Sequence, residues 1–123
     1  MDKIKCLDTY ALVEIFFGNK KFINYLNAKF VITDITLVEF YGVLLREEGE
    51  SEADYWFKKL EQYAISVNKN ILKESVKFKF ENRKTNISFF DAVGYIYSLY
   101  NNYMFVTGDK KFENFKCVEF IKK

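Results

Sequence analysis

Four acidic residues each stand at the end of a short apolar run. Asp8 follows Ile4-Lys5-Cys6-Leu7, Glu39 closes Ile35-Thr36-Leu37-Val38-Glu39, Asp91 closes Ile87-Ser88-Phe89-Phe90-Asp91, and Asp109 follows Met104-Phe105-Val106-Thr107-Gly108. In a chain that alternates strands with helices, strand ends converge on one edge of the sheet. Carboxylates gathered there repel one another unless a cation lies between them. Hard oxygen donors select a hard ion, so the pattern points to magnesium or manganese with water completing the shell. Each acid also has a structural use. Asp8 and Asp109 can cap the helices that follow them. Glu39 can close a capping box with Thr36. Asp91 complements Ser88 and a helix macrodipole. Singly, those uses outweigh chemistry. Together they do not, because no strand-end lysine or arginine is an evident partner for all four.

The chain has 123 residues, half of them apolar, and carries a net charge of +2. That length and composition fit one domain, 1–123, with a substantial core. The absence of histidine removes the commonest general base and transition-metal ligand. Ser-His-Asp and Cys-His catalysis are thereby excluded, as are zinc sites that need imidazole. Cys6 and Cys117 lack any paired spacing and read as buried free thiols on strands, which suits a reducing cytoplasm. Neither a secretory leader nor an apolar stretch long enough for a membrane helix is visible. Aromatic residues reach 20%, chiefly Phe and Tyr, and serve core filling first.

The elements that must position the acids follow from periodicity. Strands are expected at 3–7, 30–32, 64–67, 103–106 and 117–121. Helices are expected at 9–17 and 20–28, broken by Gly18-Asn19, then from Asp34 or Thr36 as cap to Glu48, where Gly49 ends the helix. Further helices are expected at about 51–62 and 69–82, from the Ser88 cap through Tyr100, and over 110–115. Residues 83–86 read as a loop, and Gly108 as the residue that permits the turn after the fourth strand. This order predicts an α/β fold, a parallel sheet covered on both faces. Ligands of such sheets bind at the carboxyl ends of strands near a topological switch point. Asp8 and Asp109 fall at such ends, with Glu39 and Asp91 in the first turns of adjacent helices.

Asp8-Thr9 after the first strand, the helical Glu39, Ser88-Phe89-Phe90-Asp91-Ala92 and Val106-Thr107-Gly108-Asp109-Lys110-Lys111-Phe112 together resemble PIN-domain nucleases, above all the VapC-type toxin ribonucleases. The resemblance covers essentially the whole chain, and the Thr-Gly-Asp-x-x-Phe segment is its most specific part. It implies a three-layer sandwich with a central parallel sheet of about five short strands. It implies Mg²⁺- or Mn²⁺-dependent hydrolysis of RNA phosphodiesters by Asp8, Glu39, Asp91 and Asp109, with Asp8, Asp91 and Asp109 holding the metal. Thr107 and Thr9 would support those carboxylates, and Lys110 and Lys111 would meet RNA phosphates. A cognate antitoxin and a homodimer are the implied partners. Aromatic side chains around Phe16, Phe17, Phe22 and Tyr25, and around Tyr55, Trp56 and Phe57, are candidate contact surfaces.

A second reading keeps the fold but makes it a non-catalytic module that binds RNA or protein. A third, phosphotransfer, fits poorly. Haloacid-dehalogenase-type enzymes need an acid where Tyr10 stands, and receiver domains need one where Val67-Asn68 ends the third strand.

Overall fold

The computed structural model describes residues 3–122; Met1, Asp2 and Lys123, the ends of the expected 1–123 domain, lie outside the described residues. Five strands form one parallel sheet: β1 (Lys5–Leu7), β2 (Phe30–Thr33), β3 (Ala64–Ile65), β4 (Met104–Thr107) and β5 (Val118–Phe120). Their order is β3-β2-β1-β4-β5. The chain builds outward from β1 to β3, then returns to lay β4 on the other side of β1. The switch point therefore lies between β1 and β4, whose register pairs Leu7 with Val106.

Among the described residues six α-helices cover the sheet: α1 (Thr9–Phe16), α2 (Lys20–Ile23), α3 (Asp34–Glu48), α4 (Glu50–Leu60), α5 (Lys69–Glu81) and α6 (Phe89–Asn101). Adjacent residues of one strand point to opposite faces, and this divides the core in two. Leu7 and Val106 join Leu12, Phe22, Phe40 and Leu44 on the side of α1, α3 and α4. Cys6 and Phe105 join Ile71, Tyr95, Ile96 and Phe112 on the side of α5 and α6. The second layer packs closely. A Cβ added at Gly94 in α6 would lie 2.7 Å from the Phe105 ring.

The sheet, its direction and the three layers agree with expectation, and several boundaries do not. The 20–28 helix is a four-residue α2 followed by a 3₁₀ turn over Asn24–Asn27. The third strand stops at Ile65, and 110–115 holds only a 3₁₀ turn, Lys110–Phe112. A 3₁₀ turn, Arg83–Thr85, interrupts the 83–86 loop. Thr33 caps α3, its hydroxyl accepting from the Thr36 amide at 3.0 Å. The capping box with Glu39 is therefore not made: the helix begins one turn earlier, and Glu39 falls in its second turn, free to face elsewhere. Cys6 is fully buried in β1, whereas Cys117 is half-buried just before β5, with φ at 61°.

Candidate active site

Asp8 ends β1 and caps α1. One oxygen, Oδ1, accepts from the Ala11 amide at 2.8 Å. The other, Oδ2, is buried and makes no hydrogen bond. One oxygen thus serves the cap, and the other is left over. The residue is 1% exposed. Burial above all holds its carboxyl well above the usual carboxylate range. The charge of Asp91 pushes the same way, and so does the more weakly felt Asp109; the nearby Thr107 hydroxyl and the Ala11 amide pull back.

Asp91 stands in the first turn of α6, its amide donating to the Ser88 hydroxyl at 3.2 Å. Its pKa is raised to about 6, first by desolvation and then by Glu39, with Asp109 adding and Ser88 and Lys111 opposing. Glu39 reaches this group from α3, where its Oε1 accepts from the Thr9 hydroxyl. Asp109 lies two residues beyond β4. Its amide donates to Thr107 Oγ1 and its own Oδ1 accepts from the Lys111 amide, both at 3.0 Å. The four acids therefore lie within electrostatic reach of one another at the switch point. None forms an ion pair among the described residues; the recorded pairs are Lys5–Glu119, Arg46–Glu47 and Lys73–Glu74. The side chains do not close into a ready-made cage: among the described residues no three acidic or thiol groups stand near enough to grip one ion.

The segment around Asp109 is held from both ends. Phe112 is fully buried against Phe105 and Tyr95, with ring centroids 5.1 and 5.5 Å away. This aromatic plug fixes the turn from below. From above, the Tyr10 ring lies so close that a Cβ on Gly108 would come within 2.2 Å of it. Gly108 is needed for space rather than for a left-handed backbone. Nothing in the periodicity of the chain singles out Tyr10 for this part; its place next to Thr9 is the one signal for it. Asp34, a cap candidate by sequence, is a second case. It occupies the residue after β2, as Asp8 follows β1, and its Oδ1 is buried without a hydrogen bond. It is not among the charges that shift Asp8 or Asp91.

Lys111 donates from Nζ to the Asn86 carbonyl at 2.9 Å, tying the Asp109 turn to the loop before α6. Lys110 is exposed and open to solvent.

The family model of the PIN domain matches residues 5–116, nearly the whole chain. The chain belongs to the PIN domain family. Solved structures agree on the PIN fold. VapC20 of Mycobacterium tuberculosis, a sarcin-ricin loop cleaving toxin, superposes with a TM-score of 0.77 at 14% identity, covering 97% of this chain and 98% of that one. A chain of a toxin–antitoxin complex from Klebsiella pneumoniae gives 0.72 at 18% identity, with 94% and 95% covered. A chain of VapBC2 from Rickettsia felis, bound to a DNA fragment from its promoter, gives 0.71 at 19%, with 96% and 98% covered. No curated protein matches the sequence. In this PIN domain no described helix is long and apolar enough to cross a membrane.

Proposed function

We propose that this protein is a metal-dependent endoribonuclease, the toxin of a VapC-type toxin–antitoxin pair, working on RNA in the cytoplasm. The observation that carries the reading is Asp8: a carboxylate buried at the switch point of a PIN fold, with one oxygen unpartnered and two further acids acting on it. Such an arrangement lowers stability and is retained where something binds it.

The donor set fits Mg²⁺ or Mn²⁺. All available donors are oxygens, and an orphaned one points to a missing electropositive partner. Because the acids stand apart, the ion would keep several waters, which suits magnesium, commonly bound by one or two carboxylates. Asp8, Asp91 and Asp109 are the residues to hold it. When bound, such an ion neutralises the phosphodiester and lowers the pKa of a coordinated water. Glu39, fixed by Thr9, orients a water or receives its proton. With no histidine in the chain, a carboxylate or solvent must take that proton. Thr107 sets the Asp109 turn through the Asp109 amide and lies beside the Asp8 carboxyl. Lys110 and Lys111 meet phosphates flanking the cut.

A protein partner has surface to cover. Phe17, Val38 and Tyr55 are 65%, 58% and 60% exposed, whereas Phe22 belongs to the core. The antitoxin and a second copy of the chain are the partners we assign to such apolar surface.

One observation favours the second reading, a PIN module that binds without cutting: among the described residues no three acids converge closely enough to grip an ion. Purified protein incubated with total RNA and Mn²⁺ separates the two. The nuclease reading expects fragments with Mn²⁺, none with EDTA and none from Asp8→Asn. Intact RNA in every lane, with binding retained, supports the module instead.

A further inference from the structure

The end of α5 and the turn after it carry features that the acidic site does not use. Glu81, Asn82, Arg83, Lys84 and Thr85 line an open polar cleft of about 320 Å³. Arg83 and Lys84 are exposed cations on its rim. The Arg83 guanidinium is not loose: Nη1 donates to the Phe80 carbonyl at 3.0 Å, and Cζ sits 4.6 Å from the centre of the Phe80 ring. Phe80 itself is 64% exposed, although α5 has a buried face on which a phenylalanine could have been placed. Lys77, three residues earlier, is exposed as well.

This region is not remote from the carboxylates. The bond from Lys111 to the Asn86 carbonyl joins the loop directly to the Asp109 turn, and Ser88, two residues beyond Asn86, caps the helix that carries Asp91. A strand of nucleic acid leaving the acidic edge past Lys111 meets this loop next.

An exposed aromatic ring with a guanidinium packed on it, beside a cleft rimmed by cations, is the chemistry of an unpaired nucleotide: base on ring, phosphate on cations. A duplex offers its bases no such access. We infer that the Phe80–Thr85 cleft is a second RNA-binding site, which holds a single-stranded flank of the substrate through a phosphate on Arg83 and Lys84 and a base against Phe80. This inference rests on the ribonuclease reading for its substrate, and its test is separable from that reading.

The test uses Asp8→Asn protein in EDTA, so that RNA stays intact, and a short fluorescein-labelled single-stranded oligoribonucleotide followed by anisotropy across a salt series. Arg83→Gln with Lys84→Gln should weaken binding and flatten the salt slope by about 0.7, the value for one lost phosphate contact on a single strand. Phe80→Ala should weaken binding about tenfold with the salt slope unchanged, as loss of stacking does. In the wild-type background with Mn²⁺, Arg83→Gln/Lys84→Gln should raise KM and leave kcat unchanged. Circular dichroism checks that each variant folds. Unchanged affinity and slope in the variants overturn the inference, as does an equal loss for heparin and duplex RNA, which marks a non-specific basic surface. If wild type cuts RNA but these variants share its KM, the inference fails alone. If wild type never cuts while the variants lose single-strand binding, the cleft stands and the nuclease reading falls.

Discussion

The two ends of β1 treat charge in opposite ways. At its amino end Lys5 is paired: Nζ lies 2.7 Å from Glu119 Oε1, reaching across β4 to β5, and the other Glu119 oxygen accepts from the Tyr25 hydroxyl. At the carboxyl end, three residues on, Asp8 has a buried oxygen without a hydrogen bond, eased only by the nearby Thr107 hydroxyl, and two acidic neighbours that oppose its ionisation. One end spends its charges on joining three elements; the other keeps them unneutralised. A chain selected for stability alone would pair both. The contrast supports the proposed reading, in which something from outside completes the electrostatics at the carboxyl edge.

The largest effect expected from breaking this contrast is at Asp8. Asp8→Asn keeps an oxygen to accept from the Ala11 amide and removes the buried charge. RNA cleavage in Mn²⁺ should fall to the metal-free level while the melting temperature rises. A variant that cuts at the wild-type rate would sink the assignment. Next comes Gly108→Ala, which forces a Cβ against the Tyr10 ring. Overpacking of this kind costs about 1–3 kcal/mol, and here the displaced residues are Thr107 and Asp109. Both stability and kcat should drop. Adding Tyr10→Ala should recover part of the stability in a double-mutant cycle. Strictly additive losses would show that the ring and the turn are independent.

The fold was largely legible because its signals are local: short apolar runs of strand length alternating with helical stripes. Boundaries slipped where tertiary context chose among similar residues. Thr33, Asp34 and Thr36 can all cap a helix, and the fully buried Thr33 does so because β2 delivers its hydroxyl to the Thr36 amide. Asp8 and Asp109 stood out because each follows a strand, and Asp91 because it opens a helix, whereas Glu39 reaches their neighbourhood from the second turn of α3. Tyr10 did not stand out, because its contact with Gly108 spans nearly a hundred residues and leaves no periodic trace. Phe80 and Arg83 look like any end of a surface helix until their stacking is seen.

The third effect is one of pH. Asp91 has a pKa near 6 in the folded chain, above its ordinary value. Between about pH 4 and pH 6 the unfolded chain has therefore given up a proton that the folded chain still holds. Stability falls as pH rises through this window. Above pH 6 the cost of ionising Asp91 in place reaches roughly 3 kcal/mol, and Asp8, raised in the same direction, adds to the trend. A divalent ion that binds the ionised acids should cancel it. Thermal unfolding from pH 4 to 7 should thus show a falling melting temperature in EDTA and a flatter one in Mn²⁺. Parallel curves in the two conditions would mean that the acids do not bind the ion. Asp91→Asn should lessen the slope between about pH 4 and pH 6 in EDTA, with Asp8 carrying what is left.

The smallest effect lies at the other end of β1. Lys5 and Glu119 are 21% and 31% exposed, so solvent screens the pair only in part. Lys5→Met keeps the aliphatic stem over β4 and removes the ammonium, leaving Glu119 with only the Tyr25 hydroxyl. The expected loss is about 1 kcal/mol, read by urea denaturation, with RNA cleavage unchanged because no carboxylate of the switch point is touched. Glu119→Gln, which still accepts from Tyr25, should cost no more than that. If either change lowered kcat, the two ends of the strand would be coupled. The unpaired acids would then belong to one charge network running the length of β1, instead of a site set apart from the pairing that holds the sheet.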